Sequence, residues 1–184
     1  MAMLKAPLTP QDHRRGDPDA PVVLVEYGDY QCPYCAAAEP VVESVLRGFG
    51  QDVQGVFRHF PLSQVHPLAE MAAQAAEFAG AHGAFWPMHT ALFANQEKLS
   101  LPVIFAIAGA LNLPQPALRV ALEAGTYGGK VRDDFMGGVR SGVNGTPCFF
   151  VNGARHDGGY SFEALSAAVL AARAVAGAVD EEAG

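Results

Sequence analysis

The chain has 184 residues, half of them hydrophobic, a net charge of -7 and three cysteines. That length and apolar content support one packed domain, or one domain carrying a large insertion, without disulfide staples. The acidic balance, with Arg14-Arg15 as the only basic doublet, excludes a nucleic-acid face, and no apolar run reaches the ~18 residues of a membrane span.

Residues 1–20, "MAMLKAPLTPQDHRRGDPDA", are rich in proline and charge and are expected to form a flexible arm. They lack the apolar stretch of a secretory leader. The expectation is a cytoplasmic protein, or an exported one if a leader has been removed.

"PVVLVEY" at 21–27 predicts a buried strand. Cys32 and Cys35 follow, at the head of a stretch where Ala37, Val41, Val42, Val45, Leu46 and Phe49 recur with helical spacing. Gly48 and Gly50 close that helix. "VQGVFRHFPL" at 53–62 alternates as a second strand. From 66 to 142 the texture is helical, with about five helices. One of them, "SLPVIFAIAGALNL", opens at Ser100 as N-cap, is apolar nearly all round and is expected to be buried, Leu101 and Ile104 included. "TPCFFVNG" then reads as strand and turn, and "ARHDGGY" as its hairpin partner. "SFEALSAAVLAARAVAG" at 161–177 is an amphipathic helix opened by Ser161, and residues 178–184 form an acidic tail.

Strands near both ends of the chain must pair across the helical run. The fold class is therefore α/β: residues 21–65 and 143–177 make one domain, and 66–142 are a helical domain inserted into it.

A strand that runs into Cys-x-x-Cys at a helix start places Cys32 against unpaired N–H groups and about half a positive charge. That setting favours the thiolate, the nucleophile of disulfide exchange. Pro33 needs no hydrogen-bond donor and suits the first helical turn. Cys35, one turn on, is placed to attack Cys32 and release a trapped partner. Structural zinc normally needs four ligands, and no second Cys-x-x-Cys or Cys-spaced histidine pair supplies them. No metal and no cofactor beyond the Cys32–Cys35 pair are expected.

The stretches "VVLVEYGDYQCPYC", "FRHFPL", "GVNGTPCFFVNG" and "GYSFEAL", in this order, resemble the DsbA-like thiol–disulfide oxidoreductases of the thioredoxin superfamily. The resemblance covers roughly residues 15–176 and implies a thioredoxin-like fold with a helical insertion. It further implies that Glu26 lies buried beneath the cysteines and exchanges a proton with Cys35. Thr146-Pro147 would be the family's cis-proline loop, with Thr146 offering backbone groups to an extended substrate segment.

Tyr34 is expected at the exposed rim, where with Pro33 it meets substrate. Cys148 departs from the family pattern. It reads as a small buried residue, with a resolving partner for Cys32 as the sharper alternative. His59 reads as a packed, hydrogen-bonded histidine, and Trp86 and Met88 as core.

The expected activity is disulfide exchange with protein thiols by a monomer with an unknown recycling partner. Two rivals stand beside it. One is a glutathione-dependent reductase, since Cys-Pro-Tyr-Cys is also the glutaredoxin motif. The other is a non-enzymatic metal or thiol module using Cys32, Cys35 and a histidine.

Overall fold

The apolar run at 21–27 becomes β2 (Val22–Gly28), the central strand of a five-stranded sheet. This computed structural model describes residues 2–182, with side chains through residue 178. β2 pairs in parallel with β3 (Val53–His59), and the connection between them is α1 (Pro33–Phe49). On its other side β2 pairs antiparallel with β4 (Cys148–Val151), which turns through Asn152-Gly153 into β5 (Ala154–His156).

Both faces of β2 are covered, which explains its continuous apolar sequence. Val22 and Leu24 pack with Val42, Val45, Leu165 and Val169, from α1 and from α7 (Phe162–Glu182). Val25 and Tyr27, on the opposite face, pack with Val56, Phe60, Cys148 and Phe150.

The helical run contains α2 (Ala69–Ala81), α3 (Phe85–Ala94), α4 (Leu101–Ala110), α5 (Gln115–Ala124) and α6 (Gly128–Arg140). Its core is continuous with Tyr30, Cys32, Cys35 and Phe57, so the insertion packs directly against the cysteine pair. One of the four glycines of α6 has a clear packing reason. A Cβ at Gly138 would lie 2.7 Å from Phe60 and 3.0 Å from Tyr27. Only a bare backbone lets α6 approach the sheet this closely.

Three expectations need correction. Residues 13–16 of the supposed flexible arm form β1 (His13–Gly16), antiparallel to β3 at the sheet edge. Ala6, Pro7 and Asp12, upstream of β1, are tied down as well. Arg58, buried under them, pairs with Asp12 at 2.7 Å and donates to the carbonyls of Ala6 and Pro7. A polar, proline-rich segment looks unfoldable in isolation; here a single buried guanidinium satisfies its carbonyls and its acid.

The second correction concerns α4. Ile104, Ile107 and Ala108 are buried against α2, α3 and α5, but Leu101 faces away from them and is 39% exposed. The third concerns the expected acidic tail at 178–184. α7 continues through Glu182, so the start of that segment is helical, and residues 183–184 lie outside the described residues.

Candidate active site

The cysteine turn is built by backbone geometry. Cys32 is the N-cap of α1, extended at φ -75° and ψ 117°, and its side chain caps nothing, so its sulfur stays free for chemistry. Pro33 occupies the first helical position, where a missing N–H costs no bond. The Cys32 carbonyl accepts from the amides of Cys35 at 3.1 Å and Ala36 at 3.2 Å. Upstream, the buried Asp29 carboxylate holds the approach to the turn. It accepts from the amides of Gln31 and Leu62 and contacts His66 Nδ1 at 2.8 Å.

All three cysteines are free thiols. Cys32 is buried even though it stands at a helix start. It is 4% exposed, because the Thr146 loop lies over it and the Thr146 carbonyl accepts from its Sγ at 3.2 Å. Cys35 is fully buried.

The two sulfurs have opposite electrostatic settings. A hydrogen bond from Cys35, opposed by burial and helped by the Thr146 side chain and the main chain of Cys35 and Tyr34, brings the Cys32 thiol down to about 5. Burial pushes Cys35 far up, reinforced by its bond to Cys32 and the charge of Glu26. One cysteine is therefore a thiolate near neutral pH and the other a thiol.

Glu26 lies on β2 with 2% exposure, and neither carboxyl oxygen has a hydrogen-bond partner. Burial raises its pKa to about 8, and the negative charge of Glu39 adds to the rise. Glu39, on the buried side of α1, resists the same burial. His89 and Arg15 bring it down to about 2, with Arg15 holding both its oxygens at 2.7 and 3.0 Å. A fixed carboxylate thus stands beside a carboxylic acid that is protonated at neutral pH.

The Thr146-Pro147 bond is cis, and this loop borders Cys32. Tyr34 is 62% exposed, and Pro33 is exposed beside it. Cys148 is not part of this site. It packs with Val25, Tyr27 and Phe60 on the far face of the sheet, and burial raises its thiol. His59 is a packed histidine whose Nε2 lies 2.8 Å from Glu77 Oε1. Trp86 is only partly buried against the core that encloses Met88.

Sequence reasoning missed Glu39 and Gln96. Glu39 had a signal: it follows Cys35 by four residues and so falls on the helix stripe that faces the core. Gln96 had none. It lies in a 3₁₀ turn between α3 and α4, and only tertiary packing brings it to the cysteines.

Among the described residues, the one group of three side chains close enough to share a metal is His13, His59 and Glu77. Neither cysteine belongs to it. Its electrostatics do not suit a cation, because Lys130 Nζ lies 3.9 Å from Glu77 Oε1. In addition, His59 Nδ1 has none of the acceptors that usually orient a metal-bound imidazole. The trio serves as a tie between β1, β3 and α2.

The sequence model of the Thioredoxin family matches residues 8–171. The chain belongs to the thioredoxin family. Its fold is DsbA-like. BdbD from Bacillus subtilis superposes with a TM-score of 0.83 at 21% identity, covering 94% of this chain and 98% of that one. Wolbachia pipientis alpha-DsbA1 gives 0.80 at 22%, covering 94% and 96%. A thioredoxin-like oxidoreductase from Silicibacter pomeroyi gives 0.78 at 28%, covering 90% and 94%.

The curated relatives bear a different kind of name. Na(+)/H(+) antiporter NhaA 1 of Salinispora arenicola is 47% identical over 170 residues, which are 92% of this chain and 26% of that protein. NhaA 3 of Salinispora tropica is 47% identical over 174 residues, 94% and 26%. This thioredoxin-family chain spans about a quarter of their length. No helix among the described residues is long and apolar enough to cross a membrane.

Proposed function

We propose that this chain is a thiol–disulfide oxidoreductase module that exchanges disulfides with protein thiols through Cys32 and Cys35. The observation that carries the reading is the divergence of the two sulfurs, a thiolate at the N-cap and a thiol beneath it. In the reducing direction, the Cys32 thiolate attacks a substrate disulfide and forms a mixed disulfide. One substrate sulfur leaves as a thiolate and takes a proton from solvent. Glu26 gives up its own proton to solvent and, as the carboxylate, takes the proton of Cys35, which attacks Cys32 Sγ. The Cys32–Cys35 disulfide forms, and the second substrate thiolate leaves. The oxidising direction is the reverse, in which a protonated Glu26 returns the proton to Cys35. Thr146 supports substrate binding by offering main-chain groups beside Cys32, with Pro33 and Tyr34 at the rim.

The test is trapping. Cys35→Ser should accumulate a mixed disulfide with a protein substrate that carries a disulfide, and Cys32→Ser should form none. Equal trapping by both variants, or by neither, would reject the assignment. Reduction of the disulfide by glutathione, followed to equilibrium, gives the direction and separates this reading from a glutathione-dependent reductase.

The 47% identity to Na(+)/H(+) antiporters supports a second reading, which concerns the partner. Under it, the thiols served belong to a membrane transporter. Trapping by Cys35→Ser in membranes should then yield a transporter adduct, and adducts confined to other proteins would reject that reading.

A further inference from the structure

The helical insertion touches the main chain of the cysteine turn through one side chain. Gln96 Nε2 donates to the Tyr30 carbonyl at 2.8 Å and to the Cys32 carbonyl at 2.9 Å. One amide nitrogen carries two hydrogens, and both are used. Among the described residues, no other side chain of 66–142 hydrogen-bonds to the main chain of residues 30–35.

The carbonyl that Gln96 grips has a particular place in the chemistry. It belongs to the N-cap residue and also accepts the amides of Cys35 and Ala36, so it closes the first turn of α1. Its orientation fixes the Cys32–Pro33 peptide plane, because that plane is rigid. The plane in turn fixes the N-cap residue from which the Cys32 side chain projects at the start of α1. The Cys32 side chain makes no cap of its own, so the helix start has no internal substitute for this grip.

We propose that Gln96 is a positioning residue of the redox site: by holding the Cys32 and Tyr30 carbonyls, it fixes the N-cap peptide of α1 and keeps the Cys32 sulfur at the positive end of the helix, which favours the thiolate. The inserted helical block is then more than a lid or a substrate surface. It supplies part of the apparatus that activates the nucleophile, and a shift of the 3₁₀ turn reaches the sulfur through two hydrogen bonds. The proposal rests on the reading of Cys32 as the nucleophile.

Gln96 borders an open cleft of about 610 Å³ between α1 and the Asn95–Lys98 segment, so it can be replaced without opening the core. Gln96→Leu keeps its bulk and removes both donors. Gln96→Glu is nearly isosteric and, ionised, sets a carboxylate against two carbonyls. Lys98→Ala, on the same cleft wall, serves as control. The measurement is the pH titration of the Cys32 thiolate by ultraviolet absorbance, in full-length reduced protein, with a thermal melt of each variant.

Both Gln96 variants should raise the Cys32 pKa by about one unit, a tenfold loss of thiolate affinity, and the control should not shift it. Variants that melt lower yet titrate like wild type would reduce Gln96 to a structural tie and overturn the proposal, and so would unshifted titration with unshifted melting. Should Gln96→Leu fail to fold, Gln96→Glu decides alone. The underlying reading fails separately: wild-type Cys32 would then titrate as an ordinary thiol and trap no substrate.

Discussion

Cys32 and Cys148 are equally buried, at 4% and 5% exposure, yet their sulfurs are held in opposite protonation states. Cys32 sits at a helix start among donors, with its pKa down at about 5, whereas burial raises that of Cys148 on the far face of the sheet. Access therefore cannot separate them, and ionisation must. A small alkylating agent at pH 7 should modify Cys32 first. Its rate should be nearly flat from pH 6 to 8, because the thiolate is already formed there. Peptide mapping after brief alkylation checks this; preferential labelling of Cys148 or Cys35 would contradict it.

Glu26 provides a stability test with a definite sign. Its pKa is raised by burial to about 8, above the 4.5 of an exposed glutamate. The folded state holds the proton that the unfolded chain releases, so stability falls as pH rises from the unfolded value to the folded one. By pH 7 the loss amounts to roughly 3 kcal/mol. Glu26→Gln should be more stable than wild type at pH 7 and should lose its advantage near pH 4. The same variant should resolve mixed disulfides at least tenfold more slowly. Denaturant melts across this range, and stopped-flow resolution, measure the two effects.

Glu77 should behave in the opposite way. Its carboxylate resists burial because His13 and His59 both contact it at 2.8 Å, which holds its pKa well below the usual range. A depressed folded pKa stabilises above the unfolded value and loses that contribution as pH falls through it. Glu77→Gln should cost roughly 1.5–3 kcal/mol at pH 7. The difference from wild type should shrink as pH drops below the ordinary carboxylate range. Chemical denaturation at pH 7 and pH 2 decides it.

α4 separates burial from apolar composition. Ile104 is fully buried and Leu101 is 39% exposed, on the same helix. Ile104→Asp should unfold at least the helical insertion, through an unpaired buried charge. Leu101→Asp should change stability by less than about 1 kcal/mol, since an acid in the first turn also suits the helix dipole. Circular dichroism melts of the pair would show it.

Tyr34 bears on the redox poise. It is exposed, and its phenol is not among the groups that lower the Cys32 pKa; only its backbone amide contributes. A cationic side chain there would add thiolate stabilisation, and each tenfold gain corresponds to about 30 mV for a two-electron couple. Tyr34→His should therefore shift the equilibrium with glutathione toward reduced protein by about tenfold below pH 6. An unchanged equilibrium constant would show that the rim does not reach the sulfur.

Much of this molecule was legible along the chain because its signals are local. Strand β2, the cysteine turn with Pro33 at the first helical position, and the helical texture of 66–142 all follow from short-range periodicity and backbone restriction. Other features depend on partners distant in sequence. Residues 6–16 looked like a loose arm because their composition is polar; Arg58 satisfies Asp12 and the carbonyls of Ala6 and Pro7, and pairing with β3 satisfies β1. Leu101 looked like core because hydropathy records what a side chain prefers, while packing determines which side of a helix is covered. Glu26, Glu39 and Gln96 acquire their settings only when residues separated by 13 to 70 positions converge on one turn. Desolvation and carbonyl geometry are properties of the folded surroundings, and neither is written in the residues themselves.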